Sequence, residues 1–256
     1  MPTSNARLGY MNLLEYGTVV ASSEDPEFPV ANCYDWKTGD WFKPAASGTI
    51  TIDLTLPSPM TADYFAYYGQ DLYQLSGSNS IRLQYWNSGT GTYIDAFAAI
   101  HPDDNSPQFK TYNSRTTDKW RVVVVATDVF SLNCISFGPQ LTLEYGMYLD
   151  WTPPIFARDT QLITSRADGG AFLGRSVISR GIATDIIVQG ASDSWMRTNW
   201  LDFAEAAEKR AFFFIPDITN HPDEAVYCWV EDQVPKPEHT NYGYMGVVIP
   251  IKGLVE

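Results

Sequence analysis

Between Gly48 and Thr55 the sequence reads GTITIDLT, an unbroken alternation. Ile50, Ile52 and Leu54 take one side, and Thr49, Thr51, Asp53 and Thr55 take the other. A period of two puts successive side chains on opposite faces of an extended chain. The segment can therefore bury its aliphatic row only as a strand with one face on a core. The same grammar runs through the first 150 residues. IRLQYW (81–86) places Ile81, Leu83 and Tyr85 on one face, and KWRVVVVA (119–126) is nearly apolar on both faces, as a central strand is. ADYFAYYGQDL (62–72), YIDAFAAI (93–100), CISFG (134–138) and LTLEYG (141–146) read as further strands. The turn SGTGT (88–92) and the polar loop HPDDNSPQ (101–108) separate some of them. Many short strands with Gly, Ser, Asn and Pro turns predict a β-sandwich or jelly roll.

The grammar changes at DWTPPIFAR (150–158), where two adjacent prolines cannot continue a ladder and mark a stiff joint. This divides the chain into a sandwich over residues 1–150 and a second domain over 151–256. In the second, TDIIVQG (184–190) reads as a strand, and ASDSWMRTNWLDFAEAAEKR (191–210) is the one convincing helix. Met196, Trp200, Phe203 and Ala207 recur every three or four residues, a single apolar stripe for packing on a sheet. Ser192 or Asp193 can cap its N-terminus, and Lys209 and Arg210 suit its C-terminal end. AFFFIPD (211–217), AVYCWVED (225–232) and YMGVVIPIKG (244–253) return to strand patterns. The expected fold is mainly β: a sandwich followed by an α+β domain with one helix on a curved sheet.

Charge limits the partners. The net charge is −13, with 8 Lys/Arg against 16 Asp/Glu up to residue 150 and 9 against 14 beyond it. Both parts are acidic, so no basic footprint for gripping nucleic acid is present. Charged residues at 18% and aromatics at 14% suit a well-buried β protein that shares surface with other subunits. Cys33, Cys134 and Cys228 lie far apart without a CxxC pair, which argues against a disulfide framework and a zinc site. They read as buried thiols. The N-terminal MPTSNARLGYMNLLEYG has no apolar h-region, and the longest apolar runs are too short to cross a bilayer. A protein made in the cytoplasm, without membrane insertion, is expected.

Reactive constellations are missing. His101, His221 and His239 have neither a second His at i+4 nor a Cys nearby, and GxSxG, GxxxxGK[ST] and GxGxxG are absent. The sequence names no catalytic residue, metal ligand or cofactor. Acidic pairs that converge only in space, as in glycosidases, leave a hydrolase as an alternative. The loop aromatics offer a different chemistry. Trp36, Trp41, Tyr68 and Tyr73, with Tyr67 and Trp86, fall near strand ends, where a flat ring can stack on a sugar. The competing reading, favoured for Trp36–Lys43, is a plug that closes the end of the sandwich.

Several segments of the first part resemble the discoidin, or galactose-binding-like, family: NCYDW (32–36), the Trp41 loop, GTITIDL (48–54), ADYFAYYGQDL, KWRVVVV and ISFGPQLTLEYG (135–146). The second part resembles the tube-like domain of bacteriophage tail proteins, through TDIIVQG, the helix with Trp195 and Trp200, AFFFIPD and MGVVIPIKGL. Distal tail and baseplate ring proteins combine two such domains, although with the ring domain first. The resemblance implies a structural, non-enzymatic component of a virion tail tip. It would form a homo-oligomeric ring, a hexamer in the family, through residues 151–256. The ring would join tail tube to hub and fibres, with DNA only as passing cargo through the channel. The alternative is a carbohydrate-binding adhesin that recognises host surface glycans.

Overall fold

The computed structural model describes residues 5–147 and 150–254. The first residues of the N-terminal stretch read above, and residues 148–149 just ahead of the proline joint, lie outside it. The described chain is mainly β with one α-helix, and it divides into two compact units. One runs from Arg7 to Leu141. The other takes the described residues from Thr142 onward together with Asn5 and Ala6. Backbone bonds tie those two N-terminal residues in: Leu143 N donates to the Ala6 carbonyl at 3.3 Å, and Ile218 N to that of Asn5 at 3.2 Å.

The first unit contains β1 (Arg7–Gly9), β2 (Thr18–Ala21), β3 (Gly48–Gln70), β4 (Ser80–Asn87), β5 (Thr92–Asp95), β6 (Gln108–Ala126) and β7 (Leu132–Gly138). The two-residue β8 (Leu141–Thr142) falls at the boundary between the units. The strands pair antiparallel in the order β2-β3-β6-β4-β5, with β7 on β3. Two segments expected as separate strands, 49–55 and 62–72, belong to the single 23-residue β3. Its register on β6 breaks between Thr55 and Met60, where Pro57 and Pro59 are exposed. The prolines cannot donate to a ladder, so they sit in the irregularity and the paired strand resumes beyond them. YIDAFAAI forms a strand only to Asp95; beyond it a single bridge pairs Ile100 with Ile81.

The break lets β3 and β6 serve both layers of a sandwich. Ile50, Ile52 and Leu54 are buried, as the alternation requires, while Thr49 and Thr55 stay exposed. Fully burying each aliphatic side chain is worth about 1.5–3 kcal/mol. Across the core, the Trp120 ring on β6 lies 5.7 Å from that of Phe137 on β7. Asn12 fixes the entry to this core. It is fully buried, donates to the Ile135 carbonyl at 2.8 Å and accepts from Leu14 N at 3.2 Å.

The second unit contains β9 (Arg158–Arg166), β10 (Phe172–Ser192), α1 (Asp193–Ala207), β11 (Phe212–Ile215), β12 (Val226–Val230), β13 (Glu238–Asn241) and β14 (Tyr244–Leu254). Its sheet runs β11-β12-β14-β10-β9, with β13 on β14. Ser192 caps α1, its hydroxyl accepting from Trp195 N at 3.2 Å, and Glu144 in turn accepts from Ser192 N at 2.6 Å. Met196, Trp200 and Phe203 are buried. Phe203 meets Trp200 and Phe212 edge-on, with ring centres 5.4 and 5.2 Å apart, which anchors the helix to β11. Lys209 and Arg210 lie beyond the last helical residue. Sequence reading found one strand at 184–190 and missed the rest of β10 and all of β9. Together these form a long antiparallel ribbon, exposed at nearly every residue from 161 to 180.

Candidate functional site

The four ring residues named from sequence come from segments laid side by side at one end of the first unit. β7 begins there. Gln70 and Tyr68 of β3 pair with Leu132 and Cys134 of β7, and Phe42 pairs with Leu132 from the other side. The Trp36–Phe42 loop is fastened along the same short stretch. Phe42 N donates to the Leu132 carbonyl at 2.9 Å, Asn133 Nδ2 donates to the carbonyls of Thr38 (3.2 Å) and Asp40 (2.5 Å), and Cys134 Sγ contacts the Lys37 carbonyl at 3.5 Å. Asn32 Nδ2 holds the Trp41 carbonyl at 2.9 Å. The loop is long, but five of its carbonyls, those of Lys37, Thr38, Asp40, Trp41 and Phe42, have partners, which fastens it as a platform.

The residue that plugs the sandwich end is Phe42, which sequence reading had not singled out. It is fully buried and meets Phe130 edge-on at 6.0 Å. Its signal was weak, because a lone Phe beside two tryptophans attracts no notice. Trp36 and Trp41 are only half-buried, and Tyr73 is 37% exposed. Trp36 has a left-handed backbone, φ 65°, and its indole N–H donates to the Glu15 carboxylate. Tyr68 differs from these: it is 7% exposed, and burial pushes its hydroxyl up to about 12. Its ring serves the core more than a ligand.

Charged groups border the half-exposed rings. Lys37 Nζ lies 2.9 Å from Asp35 and 3.5 Å from Asp40, and these hydrogen-bonded pairs hold its ammonium above the ordinary lysine range. Asp71 accepts from Ser131 N at 2.7 Å. Asp53, read as a strand-face carboxylate, pairs with Arg121 at 2.5 Å, and the Arg121 guanidinium lies 4.1 Å from the centre of the Tyr93 ring. Asp53 and Asp71 therefore have structural partners. The site as a whole offers flat rings, a cation and carboxylates on a fixed loop. That chemistry suits the stacking and hydrogen bonding of a polyhydroxylated ligand.

Elsewhere, an open groove of about 610 Å³ lies in the second unit between the start of α1 and the β13–β14 turn. Asp193 in it pairs with Arg197 at 2.7 Å and lies 3.8 Å from His239; the hydrogen bond to Arg197 holds its carboxyl below the usual carboxylate range. Asp193 and Arg197 offset one another's charge, while Asp193 Oδ1 has no hydrogen-bond partner among the described residues. Cys33, Cys134 and Cys228 are buried and in no disulfide, and burial pushes the thiols of Cys33 and Cys228 well up. Among the described residues, no cluster of His, Cys, Asp or Glu could hold a metal ion, and no helix is long and apolar enough to cross a membrane.

No family model and no curated protein matches the chain. Similar solved structures include a carbohydrate-binding module of Clostridium perfringens in complex with GalNAc-beta-1,3-galactose. It is 14% identical with a TM-score of 0.42, over 50% of this chain and 100% of the module. A pectin-binding carbohydrate-binding module is 16% identical with a TM-score of 0.40, over 48% of this chain and 89% of its own. A chitosan-binding module from a Paenibacillus sp. IK-5 chitosanase/glucanase is 20% identical with a TM-score of 0.41, over 50% of this chain and 99% of its own. Likeness at this level does not assign a ligand.

Proposed function

We propose that the chain acts by binding rather than catalysis, and that its first unit recognises a glycan at the end built by the Trp36–Phe42 loop. One observation supports this above the rest. Phe42 goes into the core there, while Trp36 and Trp41 stay only half-buried on a loop whose carbonyls are pinned. Rings held this way stack on a sugar at little cost in ordering. Trp36 and Trp41 carry the contact with Tyr73 at its edge, and Tyr68, buried in the core, takes no part in it. The test is a glycan array followed by calorimetric titration. Saturable binding should fall at least tenfold, or about 1.4 kcal/mol, in both Trp36→Ala and Trp41→Ala. Binding that survives both substitutions, or an array with no hits, defeats the reading.

The exposed β9–β10 ribbon favours a second reading, in which the chain is a structural ring component of a long-tailed phage tail tip. Among the described residues β9 ends the sheet, so one side of its backbone has no strand partner. Such an edge is an aggregation hazard unless another chain covers it, and a closed ring of identical copies does so without leaving an end. In this reading the ring meets tube, hub and fibre proteins, DNA passes through its channel, and an acidic surface keeps that DNA from sticking. Electron microscopy of the purified chain tests it: closed rings support it, and single particles of one chain's mass do not.

A further inference from the structure

The ribbon formed by β9 and β10 carries its positive charge on one side. Residues directly opposite one another on paired strands share a face. The pairs Arg158–Ile182, Thr160–Arg180, Leu162–Val177, Thr164–Arg175 and Arg166–Phe172 therefore lie on one face. The pairs Asp159–Gly181, Gln161–Ser179, Ile163–Ser176 and Ser165–Gly174 lie on the other. All four arginines of residues 158–182 fall on the first face, with no carboxylate among them. Leu162, Phe172 and Val177 stand between them at 43%, 65% and 48% exposure. Residues 158–182 carry four arginines and two aspartates, a net of +2, so the rest of a chain of −13 carries −15. Arginine interleaved with exposed apolar side chains is the composition of a protein interface more than of a phosphate-binding surface.

The same unit presents the complement. The outward face of α1 carries Asp202 and Glu205, continued at helical spacing by Glu208 at its C-cap, all exposed, with Leu201 beside them at 65% exposure. We propose that the arginine face of the ribbon seats on the outward face of α1 of a second copy of this chain. Arginines meet the three carboxylates, and the ribbon's apolar side chains cover Leu201. This deepens the ring reading by naming its contact, and it is independent of glycan binding.

Size sets the expected strength. Nine residues per strand and two strands give a face about 30 Å by 10 Å, roughly 300 Å². A stable interface buries about 800 Å² per partner, so one such contact is weak. A copy that both donates a ribbon and accepts one doubles the buried surface. Association should therefore depend on concentration and weaken with salt.

The test uses two variants of the full chain. Arg175→Glu with Arg180→Glu reverses the ribbon, and Asp202→Arg with Glu205→Arg reverses the helix face. All four positions are exposed, so an unchanged circular dichroism spectrum confirms that the fold is kept. By sedimentation velocity, the native chain should self-associate at low salt, and each variant alone should associate at least tenfold more weakly. Mixing the two variants should restore association, because each ribbon then meets a helix of opposite sign. If the native chain assembles and both variants assemble equally well, this contact is wrong while the ring reading stands. If the native chain stays monomeric at every concentration, both fall. A monomer that instead binds a labelled oligonucleotide through Arg175 and Arg180 overturns the proposal in favour of a polyanion surface.

Discussion

Removing the Phe203 ring should unfold the second unit at an early stage of any denaturation. Phe203 is fully buried, and its ring is wedged edge-on between Trp200, one turn earlier on α1, and Phe212 on β11. Phe→Ala in a packed core costs about 3–5 kcal/mol, from lost transfer free energy and the cavity left behind. Each edge-to-face contact holds about 0.5–1.5 kcal/mol beyond area. A domain of ordinary size has about 5–15 kcal/mol in all, so Phe203→Ala should remove a large share of it. Hydrogen exchange read by mass spectrometry on the full chain gives the local figure. Amides of 186–188, 212–215 and 226–228, which exchange through opening of the sheet, should speed up by two to nearly four orders of magnitude, since about 1.4 kcal/mol is tenfold. Phe203→Leu keeps most of the volume and should cost less than about 2 kcal/mol. An effect of Phe203→Ala below about 1 kcal/mol would show that α1 does not hold this sheet, and the packing argument would fail.

Two further outcomes follow from the first unit. Gly69 has φ +70°, and a Cβ there would stand 2.5 Å from the Asn133 side chain that fastens the Trp36–Phe42 loop. Gly69→Ala should cost about 1–3 kcal/mol in chemical denaturation and loosen the loop, and a neutral result would contradict the close approach. Asp63 is held above the usual carboxylate range by burial, against the opposing pull of the Gln140 N–H at 2.8 Å and of Arg7. A carboxyl with a raised folded-state pKa contributes its stability below the ordinary carboxylate pKa and loses it as pH rises through the folded value. The stability difference between Asp63→Asn and the native chain should therefore move in favour of the variant as pH climbs from acid to neutral. A difference that stays flat in urea melts across that range removes the argument.

What the sequence made legible follows from burial. GTITIDL and KWRVVVVA were readable because one-sided or two-sided burial imposes a visible pattern, and α1 because its stripe faces a sheet. β3 was read as two strands because Pro57 and Pro59 normally end a ladder, and the ladder here resumes after the irregularity. The ribbon was invisible for the opposite reason. Its apolar residues come as neighbours, Leu162 with Ile163, Phe172 with Leu173 and Val177 with Ile178, so they break the period of two. With both faces exposed, nothing in the ribbon selects for alternation. At the ring site, sequence brought Trp36, Trp41, Tyr68 and Tyr73 forward by type alone. Whether a ring is open or covered depends on pairings such as Phe42 with Leu132, which join segments about ninety residues apart and leave no local trace.

Trp36 occupies a backbone conformation in which glycine would rest with less strain, yet it carries the bulkiest side chain of the twenty. Glycine at this position should relax the main chain while deleting the indole. The Trp36→Gly protein should thus recover through its main chain part of the stability lost with the ring's burial and its bond to Glu15, while losing whatever else the ring touches. Ease of the main chain and usefulness of the surface would then move in opposite directions at a single residue, as they do where a chain holds a tense posture for the sake of what it displays.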